Sequence, residues 1–307
     1  MFNQSMLFLF LNFIEENYFN FGVNKSKNIL NKIFRNLLFA LTIAAPSVNA
    51  QGVADSIHLY GNWNCSLLPS KHIMPFTSAD ETAHRISIAK ISDNYRCSFG
   101  GIFPVLGFSN GKKILQFSVA ATYYTQFQRI PEHFIVTTGD YFVDILSDVK
   151  ITNSLVLRVG PGHTSHHFLD DAFEILKVTR SINYVRDYWQ MLLAFDKDFY
   201  MLYSGATYTY HFLIDENISP QWQLRLGGEL HSKHDYLHCY PYLSFDIKWK
   251  GELDMASTQN YQAGVFIKNK QNKKLRVAYG HHAGYEERGQ YYNIKKDYNS
   301  IGLYLEL

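Results

Sequence analysis

Apolar and polar residues alternate with a period of two through most of the chain after residue 83. Leu115, Phe117, Val119, Ala121 and Tyr123 fall on one side of such a segment, with Gln116, Ser118, Thr122 and Tyr124 on the other. The same rhythm sets Trp222, Leu224, Leu226 and Leu230 against Gln223, Arg225, Glu229 and His231. It also sets Leu243, Phe245, Ile247 and Trp249 against Ser244, Asp246 and Lys248. Two is the side-chain period of a β-strand with one apolar face. Segments of this kind begin near His84, Tyr95, Lys113, Phe134, Thr152, Arg180, Phe199, Gln221, Tyr240, Gln259, Leu275 and Tyr298, which predicts about twelve strands.

No stretch after Ala50 approaches the ~18 apolar residues that mark a spanning helix. The alternation fits either a water-soluble antiparallel sheet or a spanning barrel with its apolar face outward. Segment lengths near the ~9–11 residues of a tilted spanning strand, and aromatics towards segment ends, favour the barrel. The expected fold is therefore all-β, a single transmembrane antiparallel β-barrel over residues 83–307. Its lumen should be narrow and filled by its own side chains, with Arg225, Glu229, Asp246 and Lys248 pointing inward. An even strand number leaves both ends on the periplasmic side. Residues 51–82 contain Pro69 and Pro75 and alternate weakly; they read as a periplasmic lead-in.

Composition supports the same class. Charged residues make up 18% of the chain and aromatics 16%, against about 25% charge in ordinary soluble domains. A net charge of +2 with both signs dispersed gives no footprint for a nucleic-acid partner. Cys65, Cys97 and Cys239 are too far apart for a zinc motif and cannot all pair. Residues 1–50 read as an N-terminal extension plus a secretory signal. Lys25, Lys27, Lys32 and Arg35 precede the apolar run Leu37–Ala45 and the small-residue site Val48-Asn-Ala50, so the mature chain is expected to start at Gln51. The Phe- and Leu-rich run ahead of the signal carries Glu15 and Glu16 and reads as a start codon placed too early.

One segment departs from the rhythm in a chemically suggestive way. Continuing the face of Leu155, Leu157 and Val159 places His163 and Ser165 where apolar residues belong. The next strand sets Asn183 on a face with Val185, Asp187, Trp189, Met191 and Leu193. A serine hydroxyl needs a base to become a nucleophile, and the base needs an orienting partner. Ser165, His163 and Asn183 could fill those roles beside one outer hairpin loop, facing lipid. Polar residues near a membrane interface are also tolerated with no chemistry behind them, and His167 then only supports the motif. Asp170, Asp171 and Glu174 offer clustered carboxylates to a calcium ion, or simply solvate the loop. His231-x-x-His234-x-x-x-His238 falls at a turn with only Asp235 in support and does not make a zinc site. His281 and His282 are adjacent and point to opposite faces.

The chain resembles a family of Gram-negative outer-membrane barrels catalogued as a domain of unknown function. The likeness rests on Leu68-Pro69 with Met74-Pro75-Phe76, Phe99-Gly-Gly-Ile-Phe-Pro104, His163-x-Ser165-x-His167-x-x-Asp170-Asp171, Asn183-Tyr184 and Gly289-Gln-Tyr-Tyr292. The end Ser300-Ile-Gly302-Leu-Tyr-Leu305-Glu-Leu307 resembles the closing-strand signal read by the outer-membrane assembly machinery, with Leu307 in place of the usual aromatic. A second, local resemblance is to outer-membrane phospholipase A and the lipid A deacylase, which carry His-x-Ser on a lipid-facing strand. It implies a lipid acyl-ester hydrolase acting on the outer leaflet, with Ser165 as nucleophile, His163 as base and Asn183 as orienter. The rival class is a non-enzymatic barrel, monomer or dimer, whose loops bind a partner or ligand.

Overall fold

The computed structural model describes residues 57–306 apart from 59–61, 93, 112, 132–133, 170–171, 174–183, 214–220, 235, 237–238, 269–273, 289 and 291. The signal and the extension ahead of it lie outside the described residues. The strands are β1 (Ile57–His58), β2 (Asn64–Leu67), β3 (Ile86–Ile91), β4 (Asn94–Asn110), β5 (Lys113–Arg129), β6 (Phe134–Lys150) and β7 (Leu155–Phe168). They continue as β8 (Tyr184–Lys197), β9 (Tyr200–Leu213), β10 (Gln221–His231), β11 (Tyr240–Lys250), β12 (Ala256–Lys268), β13 (Lys274–Tyr285) and β14 (Lys295–Glu306).

From β3 to β14 each strand pairs antiparallel with its neighbours in sequence, and β14 pairs back onto β3, with Leu303 opposite Ile88 and Tyr304 opposite Ser87. These twelve strands form a closed barrel, as the alternation predicts. Expected and observed strand starts agree closely; the widest difference is Arg180 against Tyr184.

The alternation resolves into two faces. Leu193, Leu202, Leu224, Leu243, Val277 and Ile301 stand exposed on the outside with Trp189, Trp222 and Tyr279. That is the apolar band of a spanning barrel. Inside are charged groups in pairs. Arg158 makes a two-pronged contact with Asp148 at 2.7 and 2.8 Å. Arg276, fully buried, binds Glu306 and lies 3.1 Å from Glu229. Buried charges tolerate loss of water only when paired in this way.

The lead-in departs from expectation. β2 and β3 lie on the same edge of β4, Leu67 opposite Leu106 and Ser87 opposite Ser98. Between them the chain leaves the wall at Leu68, whose backbone is left-handed (φ 49°), and returns at Ile86. The intervening segment meets strands on every side of the ring. Asp80 lies 2.8 Å from Lys248 on β11 and 2.7 Å from Arg225 on β10. His84 bonds Asp144 on β6 at 2.7 Å and Thr122 on β5 at 2.9 Å. Glu81 accepts from Tyr298 on β14 at 2.7 Å and pairs with Arg96 on β4 at 3.1 Å. Only the lumen is within reach of all these strands. The last part of the expected periplasmic lead-in is thus a plug, and the lumen is filled by main chain as well as by side chains. From Met74 to Arg85 most of its side chains are buried, and a stretch packed in that way has no two-faced environment to impose a period, which is why it alternates weakly.

Candidate functional site

The candidate site lies on the outside of the wall, towards the β7–β8 connection. Along β7, Val156, Arg158, Gly160, Gly162, Thr164, His166 and Phe168 turn inward, and His163, Ser165 and His167 share the outward side with Leu155 and Leu157. Gly162 keeps this register tight. A Cβ there would stand 2.0 Å from the Asp144 carboxylate and 2.4 Å from the Tyr188 ring, where the Tyr188 hydroxyl donates to Asp144 at 2.8 Å.

Pairing between β7 and β8 sets His163 opposite Asp187 and Ser165 opposite Val185. His163 Nδ1 lies 2.6 Å from Asp187 Oδ1. On the far side, His211 of β9 brings its own Nδ1 within 2.7 Å of Asp187 Oδ2. A bulge between Asp187 and Tyr188 in the β8–β9 ladder keeps Asp187 opposite His211; bulges commonly re-aim a side chain in this manner. One carboxylate is therefore shared by two imidazoles, the three side chains being 31%, 29% and 53% exposed for His163, Asp187 and His211.

An ionised carboxylate only accepts hydrogen bonds, so each Nδ1 carries the donated proton. That leaves Nε2 of His163 as the free base, the tautomer a Ser–His–acid set uses. Ser165 follows two residues along the strand on the same face, about 6.7 Å away by strand rise. Among the described residues it is not hydrogen-bonded to His163. Catalytic hydrogen bonds are often loose without substrate. Tyr141 of β6 stands opposite Ser165, with its ring 6.0 Å from His167 and 5.0 Å from Tyr123, so Ser165 is flanked by an aromatic row.

Asn183, Asp170, Asp171 and Glu174 lie outside the described residues. Sequence reasoning missed Asp187 and His211 as partners of His163. The signal for Asp187 was available: an acid on the same apolar face as Asn183. His231 packs its ring 5.5 Å from Phe266 and bonds the Ser232 carbonyl, and His238 lies outside the described residues. His281 bonds Asn299 and His282 bonds Asn260, each on its own face. Among the described residues no cluster of histidine, cysteine and acidic side chains is arranged to hold a metal. Cys65, Cys97 and Cys239 are free thiols.

A closed twelve-strand antiparallel barrel, apolar outside and ion-paired inside, with a polar triplet on its apolar face, defines a spanning β-barrel protein. The chain belongs to the family described as "Protein of unknown function (DUF1207)", which it matches over residues 77–306. That span takes in the plug from Thr77 onward. Among solved structures it is similar to one titled "CymD monoaromatic hydrocarbon channel", with a TM-score of 0.35 and 8% identity over 71% of this chain and 75% of that one. None of the curated proteins matches the chain. Neither match supports the local resemblance to outer-membrane phospholipase A.

Proposed function

We propose that this barrel resides in the outer membrane of a Gram-negative bacterium and hydrolyses acyl esters of membrane lipid at its outward face. The observation that carries the reading is the 2.6 Å contact of His163 Nδ1 with Asp187 on the lipid side. A carboxylate and two imidazoles in an apolar band cost stability there and hold nothing that the strand ladder does not already hold. Ser165 Oγ attacks the ester carbonyl carbon while its proton passes to His163 Nε2. The departing glycerol or sugar oxygen takes that proton, and water then releases the fatty acid by the same route in reverse. Asp187 orients His163 and stabilises its charged form. Asn183, outside the described residues, is a candidate second orienter.

The test is hydrolysis of detergent-dispersed phospholipid and lipid A by folded protein, with and without calcium. Ser165→Ala and His163→Ala should each abolish turnover, and a fluorophosphonate should label wild type but not Ser165→Ala. Calcium dependence would bring in Asp170, Asp171 and Glu174. Folded wild-type protein that turns over neither lipid in either condition overturns the reading. A binding barrel is the second reading, and it rests on the lumen, where a cavity of about 440 Å³ remains beside the plug.

A further inference from the structure

We infer that this lumen cavity is a binding site for a small hydroxylated organic anion, of the sugar-acid class, held by Lys250 and Arg186. The inference is independent of any chemistry on the outer face. Its starting point is a contrast between two buried lysines two residues apart on β11, both facing the lumen. Lys248 is 4% exposed and lies against three carboxylates: Asp80 at 2.8 Å, Glu287 at 2.5 Å and Asp246 at 3.7 Å. Lys250 is 2% exposed, and its one hydrogen-bond partner among the described residues is the Glu286 carbonyl at 3.1 Å.

The carboxylates in electrostatic reach of Lys250, Glu287 and Glu252, are already committed. Glu287 takes Lys248 and Asn260 at 3.1 Å. Glu252 takes the Tyr184 hydroxyl at 2.9 Å and Arg186 at 3.5 Å. An ammonium stripped of water with one carbonyl for company is costly, and an incoming anion would supply what it lacks. Arg186 stands at the same end of the cavity with its Nε buried and unpaired.

The wall beside these cations carries a row of uncharged polar side chains. Gln190 on β8 lies opposite Thr207 on β9, Thr207 opposite Gln223 on β10, and Gln223 opposite Lys250. All four line the cavity in one row across four strands. Gln190, Thr207 and Gln223 use no side-chain hydrogen bond within the described residues. The inward cations Lys248, Arg225, Arg276 and Arg96, by contrast, are each spent on carboxylates. A row of free amides and a hydroxyl ending in an unanswered cation matches a ligand with several hydroxyls and one anionic end. The volume suits such a molecule, since small-ligand sites run to roughly 300–1,000 Å³.

Equilibrium dialysis of radiolabelled gluconate against the full-length folded barrel in detergent tests this. Wild type should bind saturably, and unlabelled sorbitol, which keeps the hydroxyls but lacks the charge, should fail to compete at the same concentration. Lys250→Gln should weaken binding at least tenfold. Gln223→Leu, which leaves the cation in place, should weaken it several-fold, and this second variant keeps the test open if Lys250→Gln does not fold by heat-modifiability. No saturable binding by folded wild type, equal competition by sorbitol, or unchanged affinity in a folded variant overturns the inference.

Discussion

The two surfaces of one wall carry charge in opposite ways. Inside, Asp80 answers Lys248 and Arg225 from two strands, and Arg276 answers Glu306 and Glu229. Arg96 answers Glu286 and Glu81. Each such group ties distant parts of the chain together. Outside, Asp187 stands among leucines and aromatics with two imidazoles, on three strands already joined by their own ladders. The interior charges are part of how the barrel holds its plug. The exterior ones add no brace that the ladders lack, so their presence on a lipid face calls for a different account. Polar groups that stability does not require are the ones to suspect of chemistry.

Separating the two surfaces by mutation gives the largest effect first. Asp187→Ala should lower lipid hydrolysis by roughly 10²–10⁴-fold, in line with loss of the acid from a serine–histidine–acid set. Its unfolding free energy in urea should stay within about 1 kcal/mol of wild type. A large loss of stability with activity retained would assign Asp187 to the structure instead. Arg276→Ala should do the reverse. Removing one partner of a buried pair costs about 3–5 kcal/mol, so the folded, heat-modifiable band should weaken or vanish.

The lipid face itself can be probed at Leu303, which is exposed opposite Ile88 in the closing seam. Leu303→Arg should destabilise the barrel by about 2–4 kcal/mol if the site lies near mid-membrane, less near an interface. Unchanged unfolding in lipid vesicles would argue that this surface does not meet hydrocarbon.

Acid should loosen the plug before the wall. Burial alone would raise the Glu81 carboxyl, but the guanidiniums of Arg96 and Arg288 hold it down at about 2, from an ordinary 4.5. A depressed carboxylate stabilises the fold above its unfolded value and loses that contribution as pH falls through the folded one. Plug anchoring should therefore decline between pH 4.5 and about 2, followed by protease access at residues 70–85; Glu81→Gln should remove that window. The smallest effect is expected at His211. His211→Ala leaves His163 with its carboxylate and should reduce turnover less than tenfold, whereas a loss as large as that of His163→Ala would make His211 the base.

The strands, their number and their two faces were legible in the residues, because a wall between lipid and a packed lumen imposes a period of two on every segment that crosses it. The shared outward face of His163 and Ser165 followed from that period alone. Three things did not follow. The plug was hidden, since residues 74–85 lie largely buried in the lumen and obey no period. The partner of His163 was hidden too, because only the register across the β7–β8 ladder sets Asp187 opposite it. His211 joins through a bulge, which shifts one strand against the next and leaves no local mark. Sequence by itself determined which side of the wall each residue faces, because that depends on its immediate neighbours. Tertiary structure decided which charges meet, because that depends on register and closure, set by residues far apart in the chain.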